Sequence, residues 1–133
     1  MFIDWSQIEF LPVLIGGIVY VMYGAIYYSL LLSDKKGRDK QFIDQQSKGP
    51  FKYMVSVMIA FISSFLMAGV IQFVHPENFL GSMGIGFLIG FIICMVYLKN
   101  TLFGLMSKKS FLLAIGDHLI IFTLLGAIHG LFL

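Results

Sequence analysis

Asp117 is the one carboxylate, and His118 and His129 the two histidines, inside the apolar stretches of this sequence. A carboxylate at a helix centre in a bilayer costs about 2.5–3.5 kcal/mol on insertion scales, so Asp117 must be protonated, paired or hydrated. His118 is its neighbour. An acid beside an imidazole can exchange a proton, hold a cation or bind a polar substrate. Tyr20, Tyr23 and Tyr27 recur at helical spacing and share one face, with Tyr28 beside them. A phenol in hydrocarbon needs a hydrogen-bond partner, so this face is expected to turn inward. At 1.5 Å per residue Asp117 lies about 10 Å below the end of its stretch, between the depths of Tyr27 and Tyr23. A Tyr–Asp bond across the first and last stretches is therefore available. Asp117, His118, Tyr20, Tyr23 and Tyr27 form the candidate polar site. Its plainer reading is a satisfied polar pair that pins helix packing. Its sharper reading is a titrating site.

No metal or cofactor is expected. His118 and His129 share a face but stand about 16 Å apart along a helix, too far to bind one ion. His129, His75 and Glu77 make a loose collection without motif spacing. The single cysteine, Cys94, excludes an internal disulfide and a cysteine-only cluster.

The elements that hold these residues follow from composition. The chain has 133 residues, 59% hydrophobic and 12% charged. Soluble domains carry roughly a quarter charged residues. This balance excludes disorder and nucleic-acid binding. Four apolar runs, about 11–32, 51–74, 79–98 and 110–132, each suffice for the roughly 20 residues that cross a bilayer. Backbone groups in hydrocarbon must be satisfied internally, so all four are expected to be helices of one membrane domain, residues 1–133. Pro50 suits the first turn of the second run, and His75-Pro76 should end it. Trp5 is placed to anchor the first at the interface.

Every Lys and Arg lies in one of two loops or at its edge. Lys35, Lys36, Arg38, Lys40, Lys48 and Lys52 follow the first run, and Lys99, Lys108 and Lys109 follow the third. The positive-inside rule predicts that both loops are cytoplasmic and both termini outside. The first loop mixes Asp34, Asp39 and Asp44 with its bases and reads as a solvated loop. The first run is too long, and its flank too acidic, for a cleaved signal peptide.

Small residues mark packing faces. Ser82, Gly86, Gly90 and Cys94 recur every fourth position, Ala60, Ser64 and Ala68 repeat the pattern, and Gly126 and Gly130 close the last run. Such stripes let backbones approach. They serve packing within a four-helix bundle or, on the sharper reading, contact between copies of the chain.

With these residues in place, the chain resembles the bacterial domain of unknown function 1761 family from about Val13 to Phe132. The resemblance rests on Gly24-Ala25-Ile26-Tyr27-Tyr28-Ser29, on the glycine-rich third run ending in Lys99-Asn100, and on Ala114-Ile115-Gly116-Asp117-His118 followed by Gly126-Ala127-Ile128. This chain has Tyr27 where the family element often has Trp, and Asp117 where many members carry an uncharged residue. The resemblance implies a small four-span protein of the bacterial plasma membrane and supplies no activity.

No enzyme is expected. The sequence has no paired carboxylates, no nucleophile with its base, no H-E-x-x-H and no phosphate-binding glycine loop. Two classes remain. One is a small oligomeric transporter or channel with Asp117 and His118 on its path. The other is an accessory subunit packed against a larger membrane partner. The expected partners are the lipid bilayer and either a second copy or another membrane protein.

Overall fold

The computed structural model describes residues 2–33 and 49–133. Lys35, Lys36, Arg38, Lys40 and Lys48 of the first basic loop lie outside the described residues. Among the described residues there are four long helices and no strand. They are α1 (Phe10–Ser33), α2 (Phe51–Val74), α3 (Phe79–Leu102) and α4 (Lys108–Gly130), preceded by a single 3-10 turn at Trp5–Gln7. All four are long and apolar enough to cross a membrane. A 24-residue helix is about 36 Å long, against a hydrocarbon core of about 30 Å.

Local chemistry sets the ends. The Ser107 hydroxyl caps α4 by accepting from Ser110 N–H at 3.1 Å. That starts the helix at Lys108, ahead of the apolar run. The Asn78 side chain caps α3 through Gly81 N–H at 2.8 Å. His75 closes α2 in the left-handed region at φ 53°, and Pro76 follows. The third helix runs past 98, where the apolar run stops, to Leu102. Lys99 and Asn100 end the hydrophobicity without ending the helix. Gly104, at φ +80°, turns the chain instead.

Helix α4 is the hub. It packs along α3 most intimately and also meets α1 and α2, while α1 lies on α2 and scarcely meets α3. The α3–α4 seam is built from the small residues. A Cβ on Gly86 would collide with the Phe122 carbonyl oxygen, and one on Gly90 would stand 3.0 Å from the His118 carbonyl oxygen. Gly126 faces Gly86 across the seam, Gly130 faces Ser82, and Ser82 Oγ donates to Gly126 O at 2.7 Å. The Ser82, Gly86, Gly90, Gly126 and Gly130 faces are thus covered within one chain.

The apolar core is small. Met67, Ile71 and Leu125 form it, with Tyr20, Ile85, Ile89 and Phe122 packed around them. Many other large apolar side chains face outward, including Leu14, Ile18, Ile62, Leu88 and Ile92. The N-terminal segment folds back onto α2. Gln72 accepts from Asp4 N–H at 2.7 Å and donates to Asp4 O at 3.0 Å. Trp5 stacks on Phe65 at 5.1 Å and fills the notch left by Gly69.

Candidate functional site

Asp117 lies nine residues into α4 and is 7% exposed. Its partner on α1 is Tyr28, whose hydroxyl donates to Oδ2 at 2.5 Å. The stripe residues bond elsewhere. Tyr23 donates to the Gly116 carbonyl at 2.8 Å, and Tyr27 to the Leu113 carbonyl at 2.6 Å. The missing side chain of Gly116 makes room for the Tyr27 hydroxyl, which would stand 2.5 Å from a Cβ there. The inward face of α1 therefore meets α4 mainly through backbone carbonyls. The Tyr–Asp bond exists, but through Tyr28 rather than Tyr23 or Tyr27. Tyr23 stacks on Tyr27, and Tyr27 meets Tyr28 edge to face.

Tyr20 is not part of this group of bonds. It lies deeper, against the apolar cluster, edge-on to Phe122 at 6.4 Å. The structure thus brings together Asp117, His118, Tyr23 and Tyr27 and leaves Tyr20 to core packing.

His118 joins α4 to α3. Its Nε2 lies 3.0 Å from the Tyr97 hydroxyl, and the two rings meet at 63°. Its Nδ1 lies 3.3 Å from Asp117 Oδ2. That is an ion-pair separation, yet Nδ1 is buried without a hydrogen bond. Adjacent helical residues point about 100° apart, so the ring cannot aim Nδ1 squarely at its neighbour. The result is a row of four side chains, Tyr28, Asp117, His118 and Tyr97, running from α1 across α4 to α3. Tyr28 is 40% exposed at one end. The sequence held a signal for Tyr97: it follows Gly90 by two helical turns, on the face that packs against α4.

A second polar centre lies at the far end of α4. Ser64, wholly buried on α2, donates to the Val13 carbonyl at 2.9 Å and meets His129 Nε2 at 3.2 Å. Serine has one proton and spends it on Val13, so His129 supplies the N–H of the second bond. A buried hydroxyl facing a protonated ring nitrogen is not an activated nucleophile. His129 is buried here, away from the exposed His75 and Glu77. No cluster of three or more His, Cys, Asp or Glu side chains able to hold a metal occurs among the described residues. About 16 Å of helix separates His118 from His129, and Ile121 and Leu125 between them are wholly buried.

Four long apolar helices around small-residue seams and a few bonded polar groups suggest a multi-pass membrane protein. Residues 11–130 match the model of a protein family of unknown function, DUF1761, and the chain belongs to that family. No curated protein and no solved structure matches it.

Proposed function

We propose that this is a non-enzymatic, multi-pass protein of the bacterial plasma membrane that moves a proton or small cation by way of Asp117 and His118. Its termini face outward and its basic loops lie in the cytoplasm. The confinement of every Lys and Arg to two of the three loops and the helix ends that border them supports that orientation. One observation carries the functional reading: a buried carboxylate touches a histidine whose Nδ1 has no hydrogen bond. Lys109, the nearest base before it on α4, is about 12 Å away along the axis. A buried carboxyl group in such a place is a site for positive charge.

A second reading has its own support. Wholly buried Ile121 and Leu125 lie between the two polar centres, so a single chain has a dry layer where a path would run. An accessory subunit of a larger membrane complex fits that layer, and so does a transporter completed by a second copy. Since the faces of Gly86, Gly90, Gly126 and Gly130 are spent inside the chain, either partner would meet a different surface. The test is flux through purified protein in liposomes, wild type against Asp117→Asn and His118→Ala. Flux lost in either variant supports transport. No flux in the wild type, with a specific membrane partner recovered by crosslinking in native membranes, supports the accessory role.

A further inference from the structure

We propose that the first turns of α2, residues 51–59, are a gate over the Asp117–His118 row, and that the gate shuts by seating Met54 in the notch of Gly24 on α1. The inference rests on the reading of that row as a functional site and adds how the site is covered.

Helix α2 is held at one end only. Its buried residues are Ala60, Ser64, Met67, Gly69 and Ile71. There Ser64 bonds Val13 and meets His129, Met67 and Ile71 cluster with Leu125, and Trp5 fills the notch of Gly69. Before Ala60 no residue of the helix is buried. Met54, Ser56, Val57, Met58 and Ile59 are all exposed, and at about 100° per residue they look out on every side. A helix packed in a bundle hides at least one face. This end of α2 hides none.

The α1–α2 seam stops one repeat short. Val13 meets Ser64 and Gly17 meets the Phe61 ring, so the two helices run antiparallel. Seven residues make about two turns, or about 10 Å, and return to the same face. Seven on from Gly17 stands Gly24, and seven back from Phe61 stands Met54. Continued in register, the seam pairs Gly24 with Met54 as it pairs Gly17 with Phe61. Neither is engaged in the structure. A Cβ on Gly24 would have nothing within 4 Å, and Met54 is 63% exposed.

A second register leads to the same place. As second and fourth of four spans, α2 and α4 run in the same direction, and Ser64 meets His129. Eleven residues back along each, about three turns, the same faces present Tyr53 and His118. Where α2 covers this face of α4, His129 is buried. Where α2 stands off, Tyr53 is exposed and His118 only half-buried. The row from Tyr28 to Tyr97 thus crosses the side of α4 that α2 covers further along. Lipid tails are as apolar as leucine, so the open face costs little and the shut state gains only close packing. Such a balance suits an element that opens and shuts, and the flexible Met54 side chain suits a contact made and unmade.

The test is disulfide formation in lipid vesicles, with Cys94→Ala removing the native thiol. Gly24→Cys with Met54→Cys should oxidise within one chain, at the monomer's mass, since shutting brings the two Cα atoms to the roughly 6 Å that a disulfide spans. Gly24→Cys with Ser56→Cys should not, because Ser56 lies on the other side of α2 at nearly the same depth. Oxidation of the first pair should abolish flux in liposomes, and a reductant should restore it. A disulfide between two chains would put a second copy on this face and overturn the gate. So would equal oxidation of both pairs, the mark of a merely loose helix end, or no disulfide at all, the mark of a face that lipid keeps. Flux undiminished through fully oxidised protein would overturn it too. If the disulfide forms in the first pair alone and the reduced protein shows no flux, the gate stands and the transport reading falls.

Discussion

Tyr28 holds the Asp117 carboxylate from across the α1–α4 seam, with 2.5 Å between the phenol oxygen and Oδ2. The bond joins the first helix to the last, 89 residues apart in sequence. It satisfies a buried carboxyl oxygen with a donor that is itself 40% exposed. Tyr28→Phe removes the donor and leaves the carboxylate buried, which costs about 1–3 kcal/mol. Asp117→Asn removes the charge with its partner's need for it and should cost less. Unfolding in mixed micelles measures both, and the double variant should be less destabilised than the sum of the two. Additive losses would mean that the bond contributes nothing.

The α3–α4 seam depends on absent side chains. Gly86→Ala drives a Cβ into the Phe122 carbonyl, against backbone that cannot yield without parting the helices. A loss of about 1–3 kcal/mol is expected, the range for overpacking. Gly84 is two residues away and has nothing within 4 Å of its Cβ position. Gly84→Ala should be neutral or slightly stabilising. Equal melting temperatures for the two variants would refute this seam.

Ser64 and Ser82 are both fully buried but do different amounts of bonding. Ser64 serves Val13 and His129, whereas Ser82 donates to Gly126 alone. Ser64→Ala should therefore destabilise more than Ser82→Ala, by about 1 kcal/mol for the His129 group left without its partner. The reverse order in thermal unfolding would count against the His129 assignment.

Trp5 is the only tryptophan in the chain, so its fluorescence reports on the N-terminal segment alone. Gln72 clasps both backbone groups of Asp4 beside it. Gln72→Ala should loosen the segment, shift Trp5 emission to the red and open the terminus to proteolysis. Unchanged emission would show that the Phe65 and Gly69 contacts hold the indole by themselves.

The helices were legible because their signals are local and strong. Apolar length marks the spans, and Pro50 and His75-Pro76 mark their borders. The small residues at Ser82, Gly86 and Gly90 also announced a close seam, since spacing alone puts them on one face. What spacing leaves open is which helix a face meets and at what rotation. Depth along the axis made Tyr23 and Tyr27 natural partners for Asp117. The rotation of α1 on α4 aims those phenols at Gly116 and Leu113 carbonyls and brings Tyr28 to the carboxylate. His129 was equally ambiguous. Its burial against Ser64 depends on how α2 leans on α4, which no pattern within either helix encodes. The side of the membrane proposed for the basic loops rests on charge distribution, a rule about insertion rather than about packing.

Proton or cation movement in liposomes tests the central claim most directly. Purified wild type, Asp117→Asn, His118→Ala and Tyr23→Phe are compared under a pH gradient and under sodium or potassium gradients. The account predicts flux in the wild type, its loss in the Asp117 and His118 variants, and its retention in Tyr23→Phe, whose phenol bonds only to backbone. Flux that survives both Asp117→Asn and His118→Ala would contradict it, as would a wild type no more permeable to protons, sodium or potassium than empty liposomes.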